Sequence, residues 1–77
     1  MTLATRLAYC RRQMADHAMS EANWTAWLAE HDGLLVGAGL MGVAECSTRD
    51  QTDARLLRWF ERGVEDGRLL QAIEKTP

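Results

Sequence analysis

The chain lacks internal proline, since its only proline is the last residue, Pro77. Proline inside a helix removes a hydrogen bond and clashes with the preceding turn, so its absence suits long helices. Cysteine is also scarce: Cys10 and Cys46 are too few for the disulfide framework of a small secreted domain, and we expect two reduced thiols in a cytoplasmic protein. The longest apolar run, residues 34–44, is too short to cross a bilayer.

Positive charge is limited as well. The nine basic residues include a single lysine, Lys75, and the net charge is −2, which excludes the strongly basic footprint of many nucleic-acid-binding proteins. Arginines interrupt the apolar pattern of residues 1–13, so we do not expect a signal peptide. With 77 residues and 47% apolar content, the chain is expected to form one globular domain, residues 1–77, with a small core.

Apolar periodicity predicts helices in the first half of the chain. A stripe on one face of a first helix consists of Leu3, Leu7, Cys10, Met14 and Ala18. Thr2 and Ser20 are suited to cap the N-termini of the first and second helices. The pair Asp32-Gly33 is expected to end the second helix, with Gly33 in the left-handed conformation.

The second half predicts further helices. The uncharged segment from Leu34 to Ala44 is predicted to be a buried, glycine-rich central helix, and residues 48–51 fit a capping box before the next helix. The side chains of residues 56–64 and those of residues 69–73 point in different directions on a helical wheel, so a break is expected between Gly63 and Gly67. The predicted fold is an all-α bundle of four helices, or five if the last segment forms its own helix.

One motif suggests a nucleotide. Residues 37–42, Gly-Ala-Gly-Leu-Met-Gly, match the pattern G-x-G-x-x-G after the apolar residues 34–36. This resembles the dinucleotide-binding turn of 3-hydroxyacyl-CoA dehydrogenases and other Rossmann proteins, which implies a strand before the motif and a pyrophosphate at a helix N-terminus. The second strand of that fold is missing, because residues 56–62 have a helical pattern. We therefore expect no cofactor.

Metal and catalytic sites are weakly supported. Cys10, His17, His31 and Cys46 are possible zinc ligands by residue type, but their spacing fits no standard ligand pair, and we expect no metal. The cysteines and histidines could also form a nucleophile–base pair, but the sequence offers no third residue to orient the base. We therefore expect a protein that is not an enzyme.

DNA binding is the alternative function. Ala29 and Gly33 are spaced as in the first half of a helix-turn-helix, but the following segment, residues 34–44, offers no side chain for phosphates or base edges. A small dimeric regulator that uses Arg6, Arg11 and Arg12 to contact DNA stays open. A solvated helix face is the other reading of these arginines.

The tryptophans and neighbouring arginines predict a protein interface. Tryptophan and arginine are enriched at binding hot spots, although three large rings could also simply fill a small core. The predicted partner-binding residues are Trp24, Trp27, Arg55, Arg58, Trp59 and Arg62. We therefore expect a non-enzymatic interaction module, similar in character to small phage and plasmid accessory proteins that inhibit or redirect a partner, and we expect it to form a homodimer.

Overall fold

The described residues of the computed structural model, 1–16, 18–46 and 52–75, form three α-helices and no strand. Helix α1 spans Leu3–Met14, α2 spans Glu21–Gly37 and α3 spans Ala54–Lys75, with a single-turn 3-10 helix at Val43–Glu45 between α2 and α3. The predicted all-helical class is confirmed. The proposed capping box at residues 48–51 lies outside the described residues, as does His17.

The first two helices begin where their caps were predicted. The Thr2 side chain accepts a hydrogen bond from the backbone N–H of Thr5, and the Ser20 side chain accepts one from Asn23. Each cap satisfies a backbone donor that has no partner within the helix.

Helix α2 does not end at Asp32-Gly33. It continues to Gly37, so the predicted central helix over residues 34–44 is wrong beyond its first four residues. The chain then turns through Gly39, whose φ of 77° is left-handed and therefore favours glycine, and it leaves Leu40 62% exposed. Gly33 is not a cap, because it lies inside α2, where it packs directly against α3.

Helix α3 is continuous through the predicted break at Gly63 to Gly67. Both glycines are buried, and with Leu56 and Phe60 they form one inner face at helical spacing. Of the side chains that suggested a change of direction, Leu69 and Ile73 point to solvent and are 52% and 66% exposed, whereas Leu70 is partly buried and packs against the core. The sequence reading failed here because it counted apolar side chains and left out glycine as an inner residue.

Two glycine pairs bring α2 and α3 into close contact. Gly33 and Gly37 lie four residues apart on α2, and Gly63 and Gly67 have the same spacing on α3. A Cβ added to Gly33 would meet the Phe60 carbonyl, and it would lie 3.0 Å from the Gly63 Cα. Small residues at this spacing remove the side chains that normally separate two helix backbones.

The contacts define the helix directions. Gly63 lies against Glu30, and Gly67 against Leu34, so residue numbers rise together and α2 and α3 run parallel. Helix α1 is antiparallel to both: the backbone N–H of Leu3 donates to Glu74 near the end of α3, at 2.8 Å.

The buried apolar residues form two clusters. The first joins α1 to the C-terminal half of α2 and contains Leu3, Leu7, Cys10, Leu34 and Ala38. The second joins α2 to α3 and contains Ala29, Leu56 and Phe60. Trp27 packs against the first cluster and Trp59 against the second, so both rings are partly covered. In the described part of the chain, no helix combines the length and apolar character needed to span a membrane.

Candidate functional site

An open groove of about 430 Å³ lies where the three helices meet. We call it the aromatic groove; its lining residues are Met1, Arg6, Tyr9, Trp27, Glu30, Trp59 and Arg62. A second hollow of about 120 Å³, between α2 and α3, shares Trp27, Glu30 and Trp59 with it. The two hollows are therefore neighbours, and the volume of the larger one is within the range of about 300–1,000 Å³ typical of ligand pockets.

Tyr9 and Trp27 are packed together in the groove lining. Their ring centroids are 5.4 Å apart with an interplanar angle of 74°, an edge-to-face arrangement. This geometry places the positive edge of one ring against the negative face of the other and fixes both orientations. Helices α1 and α2 thus present a pre-formed aromatic surface.

Trp59 and Arg62 lie together on α3. The Arg62 guanidinium carbon lies 5.5 Å from the centroid of the Trp59 ring. This distance is within the range of about 6 Å over which a guanidinium is attracted to the face of a tryptophan ring. The pair therefore presents an apolar ring and a charged donor side by side.

Arg6 connects all three helices beside the groove. Its Nη2 lies 3.0 Å from Glu30 Oε1 on α2 and 3.0 Å from Asp66 Oδ2 on α3. Burial lowers the pKa of Arg6, but the hydrogen bond to Asp66 and the charges of Asp66 and Glu30 outweigh burial and raise the pKa above its ordinary value. Glu30 is only 6% exposed, so its carboxylate needs this partner.

The structure brings together only part of the predicted partner-binding set. Trp27, Trp59 and Arg62 line the aromatic groove. The Trp24 indole, in contrast, donates to the Met14 carbonyl at 3.1 Å, and Trp24 is 39% exposed. Trp24 thus ties the end of α1 to the start of α2.

The other two predicted arginines lie elsewhere. Arg55 donates to the Ala22 carbonyl at 3.3 Å and lines a separate cavity of about 240 Å³ near the N-terminal ends of α2 and α3. Arg58 is exposed and lines neither that cavity nor the aromatic groove. The predicted set is therefore not one continuous surface.

Sequence reasoning missed Tyr9, Arg6 and Glu30 as groove residues. Tyr9 lies opposite the apolar stripe of α1, so its position alone gave no reason to choose it. The available signal was Glu30, a carboxylate on the helix face between Trp27 and Leu34, which requires a cationic partner when buried.

Neither Cys10 nor His31 presents a reactive atom. Burial, with a smaller contribution from the charge of Glu30, raises the pKa of Cys10 to about 11, so its thiol is protonated at neutral pH. Arg11 Nε donates to His31 Nε2 at 3.2 Å, and His31 Nδ1 lies 3.3 Å from Asp32 Oδ1, so both ring nitrogens are occupied. Among the residues described, no three potential metal ligands cluster.

The glycine motif at residues 37–42 has a different geometry from a dinucleotide-binding turn. The preceding residues 34–36 are helical, not a strand. Gly37 packs against Val64 of α3, whereas Gly39 and Gly42 have open space where a Cβ would lie. The likeness to Rossmann proteins is therefore confined to the sequence pattern.

Comparison of the chain with known protein families, with curated proteins and with solved structures gave no match. The functional argument therefore depends on the residues and contacts of this chain.

Proposed function

We propose that the chain is a small non-enzymatic interaction module that binds a partner protein in the aromatic groove and thereby modulates it. The observation that carries the proposal is the convergence of Trp27, Trp59 and Arg62 on one open groove. These residue types dominate binding hot spots when they lie in a concave, partly desolvated surface. Both tryptophans are only partly buried, so they keep surface that a partner can cover.

The alternative of a DNA-binding regulator is less well supported. Arg6 has two carboxylate partners, so its charge is already compensated. Gly33 lies within α2, so the turn of a helix-turn-helix does not occur there. Arg11 and Arg12 remain exposed, but two arginines provide little phosphate affinity.

We further propose that the module acts by occupation, as an inhibitor that covers a surface of its partner in the manner of small phage and plasmid accessory proteins. A pre-formed aromatic surface supports this mode, because little side-chain freedom is lost on binding. Cys10 and Cys46 are not joined in a disulfide, which supports a reducing, cytoplasmic compartment.

Self-association is a separate proposal. An all-apolar helix over residues 34–44 would need cover from a second subunit, but only residues 34–37 are helical. The surface that supports a dimer is the pair Leu69 and Ile73, which are four residues apart and exposed on α3. A twofold contact would use this patch twice.

Affinity capture from the native cell lysate tests the interaction function. The wild-type chain is compared with Trp59→Ala and Arg62→Gln, and Arg58→Gln is the matched control because it removes an arginine from the same helix outside the groove. We expect a stoichiometric protein to be lost with both groove variants and kept with the control. Equal capture by all four chains, each shown to be folded by its thermal melting curve, would contradict the proposal.

A further inference from the structure

The two arginines of the aromatic groove differ in how their charges are compensated. Arg6 is paired with two carboxylates, Glu30 and Asp66. Over the described ranges, no Asp or Glu lies within 4.0 Å of the Arg62 guanidinium, which lies beside the Trp59 ring. Arg62 is therefore the groove arginine whose positive charge has no carboxylate partner.

Arg62 also lies beside an aromatic surface. Its guanidinium carbon is 5.5 Å from the Trp59 ring centroid, so a group bound to Arg62 would lie next to that ring. A carboxylate can accept two parallel hydrogen bonds from a guanidinium, which is the preferred geometry of an arginine–carboxylate pair. The neighbouring ring surfaces of Trp27 and Trp59 offer an apolar hollow of about 120 Å³.

We infer that the occupant of the groove is a short acidic segment of a partner protein, with an aspartate or glutamate on Arg62 and an adjacent apolar side chain between Trp27 and Trp59. This inference rests on the proposed function and specifies the chemistry of the partner. A basic segment is disfavoured because it would face Arg62 with no available carboxylate. A nucleic acid is disfavoured because polyanion binding depends on many cations rather than one.

Selection from a display library of random peptides tests the inference without knowledge of the natural partner. The full chain serves as bait, enriched peptides are synthesised with a fluorescent label, and their affinities are measured by fluorescence anisotropy. We expect the enriched peptides to share an Asp or Glu close to an aromatic or aliphatic residue. Arg62→Gln should weaken their binding by about tenfold or more, as the loss of a charged hydrogen bond does, and Arg58→Gln should leave it unchanged.

A double-mutant cycle isolates the predicted contact. Replacing the acidic residue of a selected peptide by its amide should weaken binding to the wild-type chain but have little further effect on Arg62→Gln. Raising the salt concentration should weaken the wild-type complex more than the Arg62→Gln complex.

The outcomes separate the inference from the function. Neutral or basic peptides whose binding falls with Trp59→Ala would overturn the acidic partner and leave the groove as the interaction site. Peptides that bind Trp59→Ala and Arg62→Gln as tightly as they bind the wild-type chain would count against both the acidic partner and the groove as the interaction site. Failure to enrich any peptide would overturn the inference, which requires a short segment to suffice, whereas the lysate capture would still decide the function.

Discussion

At the residue scale, Arg6 is the side chain that connects the three helices through ion pairs. It lies on α1 and contacts a carboxylate on each of the other two helices. Sequence reasoning treated it as part of a solvated basic face, because its partners are distant in the sequence. The buried carboxylate of Glu30 makes the contact a requirement, since an unpaired buried charge is costly.

Replacing Arg6 by methionine should therefore destabilise the fold. We expect a loss of about 2 kcal/mol in the free energy of unfolding, below the value for a fully buried pair because Arg6 retains some solvent contact. Urea denaturation measures it, and Arg11→Met is the control, since Arg11 is exposed and donates to His31 at the surface, so its loss should change stability by less than about 0.5 kcal/mol. Adding Glu30→Gln to Arg6→Met should restore part of the loss; a purely additive second loss would contradict the account.

Cys10 and Cys46 should differ in reactivity. Cys10 is 1% exposed and its pKa is raised to about 11, whereas Cys46 is only half-buried. At pH 8 we expect iodoacetamide to label one thiol of the folded chain rapidly and the second only when the chain unfolds. Mass spectrometry counts the labels, and Cys46→Ser should remove the rapid one. Equal labelling rates for both thiols would show that Cys10 is not protected.

The raised pKa also predicts a pH dependence. The Cys10 thiol ionises near pH 9 when the chain is unfolded and near pH 11 when it is folded, so the unfolded state loses this proton first as pH rises. The contribution of the protonated Cys10 thiol to the free energy of unfolding is therefore complete below pH 9 and is lost between pH 9 and pH 11. Over that window, the free energy of unfolding should fall more steeply for the wild type than for Cys10→Ala. Parallel curves for the two chains would disprove the assignment.

At the scale of helices, the glycine pairs explain why the sequence predicted the helix class but not the helix ends. Caps at Thr2 and Ser20 were correctly identified, because a cap is a local signal. Gly33 and Gly63–Gly67 were interpreted as a helix end and a break, since glycine weakens an isolated helix. Their role depends on contact between α2 and α3, and only the shared four-residue spacing indicates it in the sequence.

A single methyl group should disturb this contact. In Gly63→Ala, the new Cβ would meet the Glu30 carbonyl, and it would lie 3.0 Å from the Gly33 Cα. Both are backbone atoms, so the helices must separate, and we expect a net loss of about 2 kcal/mol in spite of the better helix propensity of alanine. Differential scanning calorimetry measures the loss. The control is Gly42→Ala, where nothing lies within 4 Å; a similar loss in both variants would refute the close contact.

Gly39 and Gly42 differ from the buried glycines. If residues 34–44 formed a packed helix, Gly39→Leu or Gly42→Leu would disrupt assembly by overpacking. In the structure both positions face open space, so overpacking has no basis there. Gly39 is sensitive for another reason, its left-handed backbone, whereas Gly42 should tolerate a side chain.

At the scale of the whole molecule, the parallel arrangement of α2 and α3 creates the aromatic groove. Trp27 and Trp59 are far apart in the sequence, and the alignment of Gly33 with Gly63 fixes the register that places them on one surface. Sequence reasoning selected these tryptophans and Arg62 by residue type. It could not separate them from Arg55 and Arg58, because that separation depends on the relative rotation of the helices.

The dimer makes a distinct prediction at this scale. In sedimentation equilibrium at micromolar concentration, we expect the wild type at twice the chain mass and the double variant Leu69→Glu, Ile73→Glu at the mass of one chain. Both residues are more than half exposed, so the fold should be retained. Arg58→Glu is the matched control and should remain dimeric. A wild-type chain of monomer mass would rule the dimer out.

The most direct test of the groove as the interaction surface is site-specific photo-crosslinking in the native cell. Benzoylphenylalanine is placed at Tyr9 in one chain and at Arg58 in another, so that one probe lies in the aromatic groove and the other on the exposed side of α3. The account predicts a single strong crosslink to a partner protein from position 9, lost when Arg62→Gln is added, and little or none from position 58. Equal crosslinking from both positions, or a crosslink from position 58 alone, would contradict it.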